Sequence, residues 1–313
     1  MPVPTEREIT FAELDEAKKY AKVIPVGELN KEKIVIFSDH HKGSGHKKVD
    51  LFQQNEDLYY NVLKKYLANN FTLVIAGDAE ENWGFSLESI FERYDNIFEL
   101  EKEFALRGKY YRLYGNHDTA WEPRIDRERE MLIDSDETRR YLTPRYGEKL
   151  VYPAVILKGG KRDIFIVHGH QGDPKAHQGE GVSRGIVYFF THVFFKLFGR
   201  KNKKINHHAE KLKYRDQLLY EWAEKEKVLL LAGHTHRLLF KCYENNGKTP
   251  YYFNAGACKF KDGITSLEIS DGRMKLLQWK NKDVEGRETV YGTRELGEIF
   301  DSIEKNENDG DGG

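Results

Sequence analysis

The sequence predicts an α/β layered fold, on three observations. Short apolar runs of strand length alternate with stretches whose apolar residues recur at helical spacing. Five of those runs end in polar clusters rich in Asp, Asn and His. With 39% hydrophobic and 13% aromatic residues, the 313-residue chain can bury a sizeable core.

Taken in order, Thr10-Phe-Ala-Glu13 reads as a capping box, the threonine oxygen accepting from the first turn and the glutamate reaching back. It predicts a helix to about Val23, stopped before Pro25, with Phe11, Leu14 and Ala21 near one face. Residues 33–37 form a strand that ends at Ser38-Asp39-His40-His41. Residues 50–69 are helical, with Leu51, Leu58, Val62, Leu63 and Tyr66 at spacings of three, four and seven. Residues 71–76 make a strand ending at Gly77-Asp78, residues 86–104 a helix, and residues 110–114 a strand ending at Gly115-Asn116-His117-Asp118. Residues 163–167 lead to His168-Gly-His170, and residues 228–232 to Gly233-His234-Thr-His236. After them, residues 238–243, 251–254, 265–269 and 275–279 read as short β runs joined by Asn-Gly or Asp-Gly turns. They predict a second, largely antiparallel sheet packed on the first.

A long insertion separates His170 from Val228. Residues 186–190 and 193–198 are apolar and aromatic, and residues 196–215 then hold eight Lys or Arg against the single acidic Glu210. Such a stretch suits core packing or an acylated, anionic surface; it could also track a nucleic-acid backbone, which ranks behind those two. Near the C-terminus, Leu296, Ile299, Phe300 and Ile303 form one helical stripe, and residues 306–313 are acidic, glycine-rich and expected to be disordered. The organisation expected is a helical extension over 1–30, a main domain over 31–280, and a helix with an acidic tail over 281–313.

Composition narrows the class. Fifty Lys and Arg against 51 Asp and Glu give a net charge of −1, which argues against wholesale nucleic-acid or membrane binding. Mean hydropathy of −0.71 excludes an integral membrane protein. The charged start, and two cysteines (Cys242 and Cys258) that supply neither a disulfide framework nor a zinc site, lead to the expectation of a soluble, cytoplasmic protein with buried cysteines.

In layered α/β sheets, reactive side chains gather where strands end. The five clusters therefore bring oxygen ligands (Asp39, Asp78, Asn116) together with imidazoles (His41, His168, His234, His236). That mixture suits manganese, iron, cobalt or zinc. The set exceeds the needs of one ion and divides into two sites about 3.5–4 Å apart with Asp78 between them, a spacing suited to in-line attack at phosphorus. Two divalent cations, manganese first among those the ligands tolerate, would lower the pKa of a shared water to give a hydroxide nucleophile and neutralise phosphate oxygens.

Five such blocks in this order, each after an apolar strand, resemble the calcineurin-like metallophosphoesterase superfamily. The resemblance implies a four-layer α/β/β/α sandwich with residues 171–227 as an inserted helical cap. It implies hydrolysis of a phosphodiester or pyrophosphate, the rivals being a phosphomonoesterase and a metal-binding interaction module. Asp39, His41 and His236 would hold one metal and Asn116, His168 and His234 the other, with Asp78 bridging. His117 would act on phosphate or leaving group, with Asp118 orienting it. The Glu81-x-Trp83 ending, the aromatic-basic insertion and Gly233-His-Thr-His-Arg237 also resemble UDP-2,3-diacylglucosamine hydrolases, which implies a lipid-linked or nucleotide-containing substrate and a peripheral membrane or acylated-substrate contact through 186–204.

Other residues weigh differently. His40, next to His41, should face the opposite way in an extended segment and serve structure. His170 divides evenly between a role beside the site and a surface role. His46, His177, His192, His207 and His208 lie outside the blocks and read as non-catalytic. Lys42 and Arg237 adjoin ligands and would contact phosphate or remain solvated loop charges.

Overall fold

The computed structural model of the chain describes residues 3–46, 49–125, 132–147, 151–159, 162–174, 202–240, 249–280 and 287–310. The aromatic half of the insertion (186–198) and Cys242 lie outside these residues.

The first helix, α1 (Glu6–Lys19), starts earlier than Thr10. Its cap is Thr5, whose Oγ1 accepts from the Glu8 amide at 3.2 Å while the Glu8 carboxylate accepts from the Thr5 amide at 2.7 Å. Thr10 sits inside the helix and donates to the Glu6 carbonyl at 2.8 Å. The two Thr-x-x-Glu patterns are identical, and the earlier one starts the helix more than a turn sooner; the helix buries Phe11, Leu14 and Ala17. The helix stops at Lys19, so that β1 (Lys22–Pro25) can pair in parallel with a later strand.

The chain then alternates as its periodicity predicts: β2 (Ile34–Phe37), α2 (Glu56–Ala68), β3 (Thr72–Ala76), α3 (Leu87–Arg93), α4 (Asp95–Leu106) and β4 (Tyr110–Leu113). The expected single helix over 86–104 is two, broken at Tyr94, whose hydroxyl donates to Asp50 Oδ2 at 2.6 Å. A small hairpin of β5 (Arg124–Ile125) and β6 (Leu132–Ile133) and a short α5 (Thr143–Tyr146) lead to β7 (Val151–Tyr152), β8 (Ala154–Lys158) and β9 (Ile164–Val167). Next come α6 (Asn202–Glu226), β10 (Leu229–Ala232), β11 (Leu238–Leu239), β12 (Tyr252–Ala255), β13 (Ile264–Ser270), β14 (Arg273–Lys280), β15 (Arg287–Glu295) and α7 (Leu296–Gly310).

Two sheets result. One runs β15-β14-β13-β2-β3-β4-β7 and the other β1-β8-β9-β10-β12-β11. The late strands do not form a sheet of their own. β13 pairs antiparallel with β2 and carries β14 and β15 onto the first sheet, while β12 pairs in parallel with β10 in the second. Strand propensity carries no record of partner, so this assignment is not readable from the sequence.

Side-chain alternation sets the layers. Ile34 and Ile36 face the core shared with the second sheet, whereas Val35 and Phe37 face α2, α3 and α4. On the far side, α1 and α6 cover the second sheet through Leu14, Leu219 and Trp222. The order is helices, sheet, sheet, helices, a four-layer α/β/β/α sandwich. The described half of the 171–227 insertion is α6, and its C-terminal part is a structural layer, with Leu218, Leu219, Tyr220, Trp222 and Ala223 buried. The stripe of Leu296, Ile299, Phe300 and Ile303 is helical as expected and is buried, and the helix continues to Gly310 through a stretch expected to be disordered. Among the described residues, no helix is long and apolar enough to cross a membrane.

Candidate metal centre

β2, β3 and β4 run parallel in one sheet, and β9 and β10 run parallel in the other. Their C-terminal ends meet at one edge of the sandwich. The loops are locked together by backbone bonds: the Asp39 amide donates to Gly77 O at 3.1 Å, that of His41 to Asp78 O at 2.9 Å, and that of Gly233 to His168 O at 2.9 Å.

Five of the seven expected ligands occupy the left-handed region: Asp39 (φ 56°), His41 (51°), Asp78 (51°), His234 (64°) and His236 (53°). Outside this cluster, only Asn70, Lys227 and Asp271 do so among the described non-glycine residues. Each such residue costs about 1–2 kcal/mol, so a concentration of them marks a place where side-chain direction takes precedence over backbone ease. Asp and His tolerate the region better than most residues. Positive φ at Asp39 and His41 turns both toward the centre, while His40 packs into the core, its ring 4.7 Å from that of Tyr59. Burial lowers the His40 pKa and keeps the imidazole neutral. His40 is structural, as expected.

The side chains form three overlapping groups whose ligand atoms lie within 4.8 Å of one another: Asp39, His41 and His236; His41, Asp78 and His117; Asp78, His168 and His234. Asp39 Oδ1 lies 2.9 Å from His236 Nε2 and 3.6 Å from His41 Nε2. Asp78 Oδ2 lies 3.7 Å from His41 Nε2 and 3.3 Å from His168 Nε2. The His41 and His168 tautomers are fixed from behind. His41 Nδ1 donates to Glu81 Oε2 at 2.8 Å, and His168 Nδ1 to the Ala76 carbonyl at 2.8 Å. Both Nε2 atoms therefore point at the carboxylates. His41 Nε2, His168 Nε2 and Asn116 Oδ1 are buried without hydrogen-bond partners among the described residues. Buried acceptors directed at one another are the arrangement a cation satisfies, because ligands about 2.0–2.2 Å from an ion stand 3–4 Å apart. The residues present fit divalent metal. Space is kept by glycine: a Cβ on Gly115 would run into Asp78 Oδ1 and lie 2.8 Å from His168 Cδ2.

The charges agree. Burial works against ionised Asp39 and Asp78, yet the imidazoles, chiefly His236 for Asp39 and His168 for Asp78, hold both well below the usual carboxylate range. Burial also opposes a charged His168, but Asp78 overrides it and raises its pKa to about 9. Burial, helped by the Lys259 charge, lowers His236 to about 3.

His117 joins the centre through its amide, which donates to Asp78 Oδ1 at 2.8 Å. Asp118, expected to orient it, does not touch its imidazole. Asp118 Oδ1 accepts from the Gly115 amide at 2.5 Å and Oδ2 from the Ala79 amide at 2.8 Å, tying the β3 and β4 loops together. Burial and then the Asp78 and Glu80 charges raise its pKa to about 6. The His117 ring is held instead by Glu81, whose Oε1 accepts from Nδ1 at 2.7 Å, and by Trp83, stacked at 4.0 Å and 21°. One buried carboxylate thus serves both His41 and His117. The Glu81-x-Trp83 pattern was visible in the sequence, but not the ring it would meet. Asp173, 3.1 Å from His234 Nε2, was also missed; it lies three residues after His170 and belongs to no block.

Lys42 is neither a phosphate contact nor a solvated charge, whereas Arg237 stays partly exposed beside His236. Lys42 is fully buried behind the site, 3.2 Å from Glu101 and 3.5 Å from Glu80, in a network that includes Arg112 and Asp118. Arg237 pairs with Asp216. His170 is buried beside the centre, its ring 5.3 Å from that of His168. His46 is exposed, His177 and His192 lie outside the described residues, and His207 and His208 fall in the first turns of α6.

A family profile described as calcineurin-like phosphoesterase matches residues 32–238, a span that contains all five clusters. No curated protein sequence matches. Similar solved structures include the phosphoesterase YfcE of E. coli, at 13% identity and TM-score 0.39 over 84% of this chain and 99% of that one. Vacuolar protein sorting 29 of Cryptosporidium parvum is similar at 13% identity and TM-score 0.38, over 84% and 98% of the two chains.

Proposed function

The chain belongs to the calcineurin-like phosphoesterase family, and from that premise we propose that it hydrolyses a phosphodiester or pyrophosphate bond with two divalent cations. The observation that carries the reading is the set of buried, inward-facing ligand atoms around Asp78: His41 Nε2, His168 Nε2 and Asn116 Oδ1, none with a hydrogen-bond partner among the described residues. Asp39, His41 and His236 would hold one ion, Asn116, His168 and His234 the other, and Asp78 both. The donor set suits manganese, iron, zinc or cobalt. When bound, the ions supply positive charge to phosphate oxygens and acidify water.

The protein's own groups complete the chemistry. Glu81 accepts from His117 Nδ1, so His117 Nε2 is the ring atom that would meet phosphate or leaving oxygen. With Nδ1 held by the carboxylate, a proton carried at Nε2 can pass to the departing oxygen. Trp83, stacked on the ring, and the Asp78–amide bond hold that nitrogen in place. A diester is favoured over a monoester because space flanks the centre on both sides. A cavity of about 700 Å³ reaches His170, and a cleft of about 550 Å³ reaches His236.

The test is turnover of bis(p-nitrophenyl) phosphate against p-nitrophenyl phosphate, with added manganese and with chelator. Faster, chelator-sensitive hydrolysis of the diester supports the reading. Preference for the monoester would make the protein a phosphomonoesterase, and no turnover of either ester by metal-loaded protein would make it a binding module.

A further inference from the structure

We infer that Lys259 is a further substrate-binding residue, its ammonium meeting a non-bridging phosphate oxygen on the side of the centre formed by Asp39, His41 and His236. This inference rests on the phosphoesterase reading and adds a residue to it.

Lys259 lies beyond the last of the five clusters, in the segment between β12 and β13. Backbone contacts bring that segment to the centre. The Cys258 amide donates to Asp39 O at 3.2 Å. On the other side, buried Asn55 donates through Nδ2 to the Cys258 and Phe260 carbonyls, each at 2.9 Å. The chain is therefore pinned both before and after Lys259. Cys258 packs into the core beneath α2, α3 and α4, and Phe260 lines the same cleft as His236. Between them, Lys259 is partly buried and emerges beside Asp39.

Its charge acts on the centre. After burial, the strongest influence opposing a proton on His41 and on His236 is the positive charge of Lys259. Burial works against the ammonium itself, and Asp39, then Glu81 and Asp78, favour it. Other cations nearby are already paired: Lys42 with Glu80 and Glu101, Arg112 with Glu80, and Arg237 with Asp216. The Lys259 ammonium makes no hydrogen bond or ion pair with a described residue, although three carboxylates attract it. A lysine serving as counter-charge to Asp39 or Glu81 would close to contact with one of them. This one stands off, in a place where divalent ions would repel it. An anion between the ions and the ammonium turns that repulsion into attraction from both sides. Lysine binds phosphate in this way, as a point charge that needs no fixed fork geometry.

The test compares Lys259→Met, which removes the charge at similar length, with Lys259→Arg, which restores it, circular dichroism verifying that both fold. Inorganic phosphate is titrated into manganese-loaded protein by calorimetry, and manganese into metal-free protein. Lys259→Met should weaken phosphate binding about 10–100-fold, the range of a charge-assisted hydrogen bond, and lower kcat/KM for bis(p-nitrophenyl) phosphate by a similar factor. Lys259→Arg should recover most of both. Manganese affinity in the Met variant should be unchanged or tighter, because a like charge beside the ions is gone. Phosphate affinity within about twofold of the parent protein overturns the assignment. So does manganese affinity that falls in step with phosphate affinity, the mark of a lysine that only organises the ligands. Either result leaves the phosphoesterase reading standing if the parent protein turns the diester over. If the parent turns over neither ester, that reading falls, and the phosphate titrations still decide whether Lys259 holds the anion.

Discussion

Replacing Glu81 by Gln tests the new element of the site most sharply. Its two oxygens accept from His41 Nδ1 at 2.8 Å and from His117 Nδ1 at 2.7 Å, and it is buried at 2% exposure. Its pKa is lowered despite burial, because His117 and then His41 bond its ionised form. Glutamine preserves size but offers one oxygen and one NH₂ group, and the NH₂ must face an imidazole N–H. If it faces His41, that ring must move its proton to Nε2, where it blocks the lone pair aimed at Asp39 and Asp78. If it faces His117, that ring's Nδ1 must accept from the amide and loses its charge-assisted bond to the carboxylate. One charge-assisted hydrogen bond is worth about 1.5–3 kcal/mol, or about 10–100-fold at ~1.4 kcal/mol per factor of ten. Partners behind metal ligands show losses of about that size. The expected outcome for Glu81→Gln is a 10–100-fold fall in kcat/KM for bis(p-nitrophenyl) phosphate, in metal affinity, or in both. Titration with manganese and steady-state rates measure it, with circular dichroism to verify folding. Affinity and rate both within about twofold of the parent protein would refute the shared-clamp reasoning.

Other substitutions separate chemistry from scaffold. Asp118→Asn sets an NH₂ group against the Gly115 or Ala79 amide and should cost about 1–3 kcal/mol of stability, read by denaturant melts; unchanged stability with lost turnover would restore a direct role beside His117. Lys42→Met leaves Glu80 and Glu101 less compensated in the interior and should destabilise by about 3–5 kcal/mol; a folded variant altered only in KM would return Lys42 to the phosphate. Gly115→Ala drives a methyl group between Asp78 and His168 and should abolish metal uptake while leaving most secondary structure intact; normal metal content by elemental analysis would show that the loops yield.

The cluster of candidate ligands was legible in the sequence because its residues follow apolar strands, and strand ends are where a layered sheet gathers chemistry. Partners that arrive from elsewhere in the chain were not legible. Asp118 was assigned to His117 because the two are neighbours in sequence, yet its side chain turns back to the loop amides, and Glu81 reaches the ring from 36 positions away. Lys42 adjoins a ligand, but the extended backbone directs it into a buried ion network. In the fold, the apolar runs predicted β2, β3 and β4 closely, whereas the helix expected over 50–69 begins only at Glu56 and leaves Leu51 outside. Periodicity could not decide between Thr5 and Thr10 as caps, since both begin the same pattern, nor which sheet would recruit β12 and β13, since pairing depends on contacts distant in sequence.

The claim on which the account rests is that one buried carboxylate, Asp78, organises two metal ions. Elemental analysis of manganese-reconstituted protein, beside a folded Asp78→Ala variant, tests it most directly. The account predicts about two ions per chain in the parent protein and well under one in the variant. A parent chain that saturates at one ion, or an Asp78→Ala variant that retains both, would contradict it.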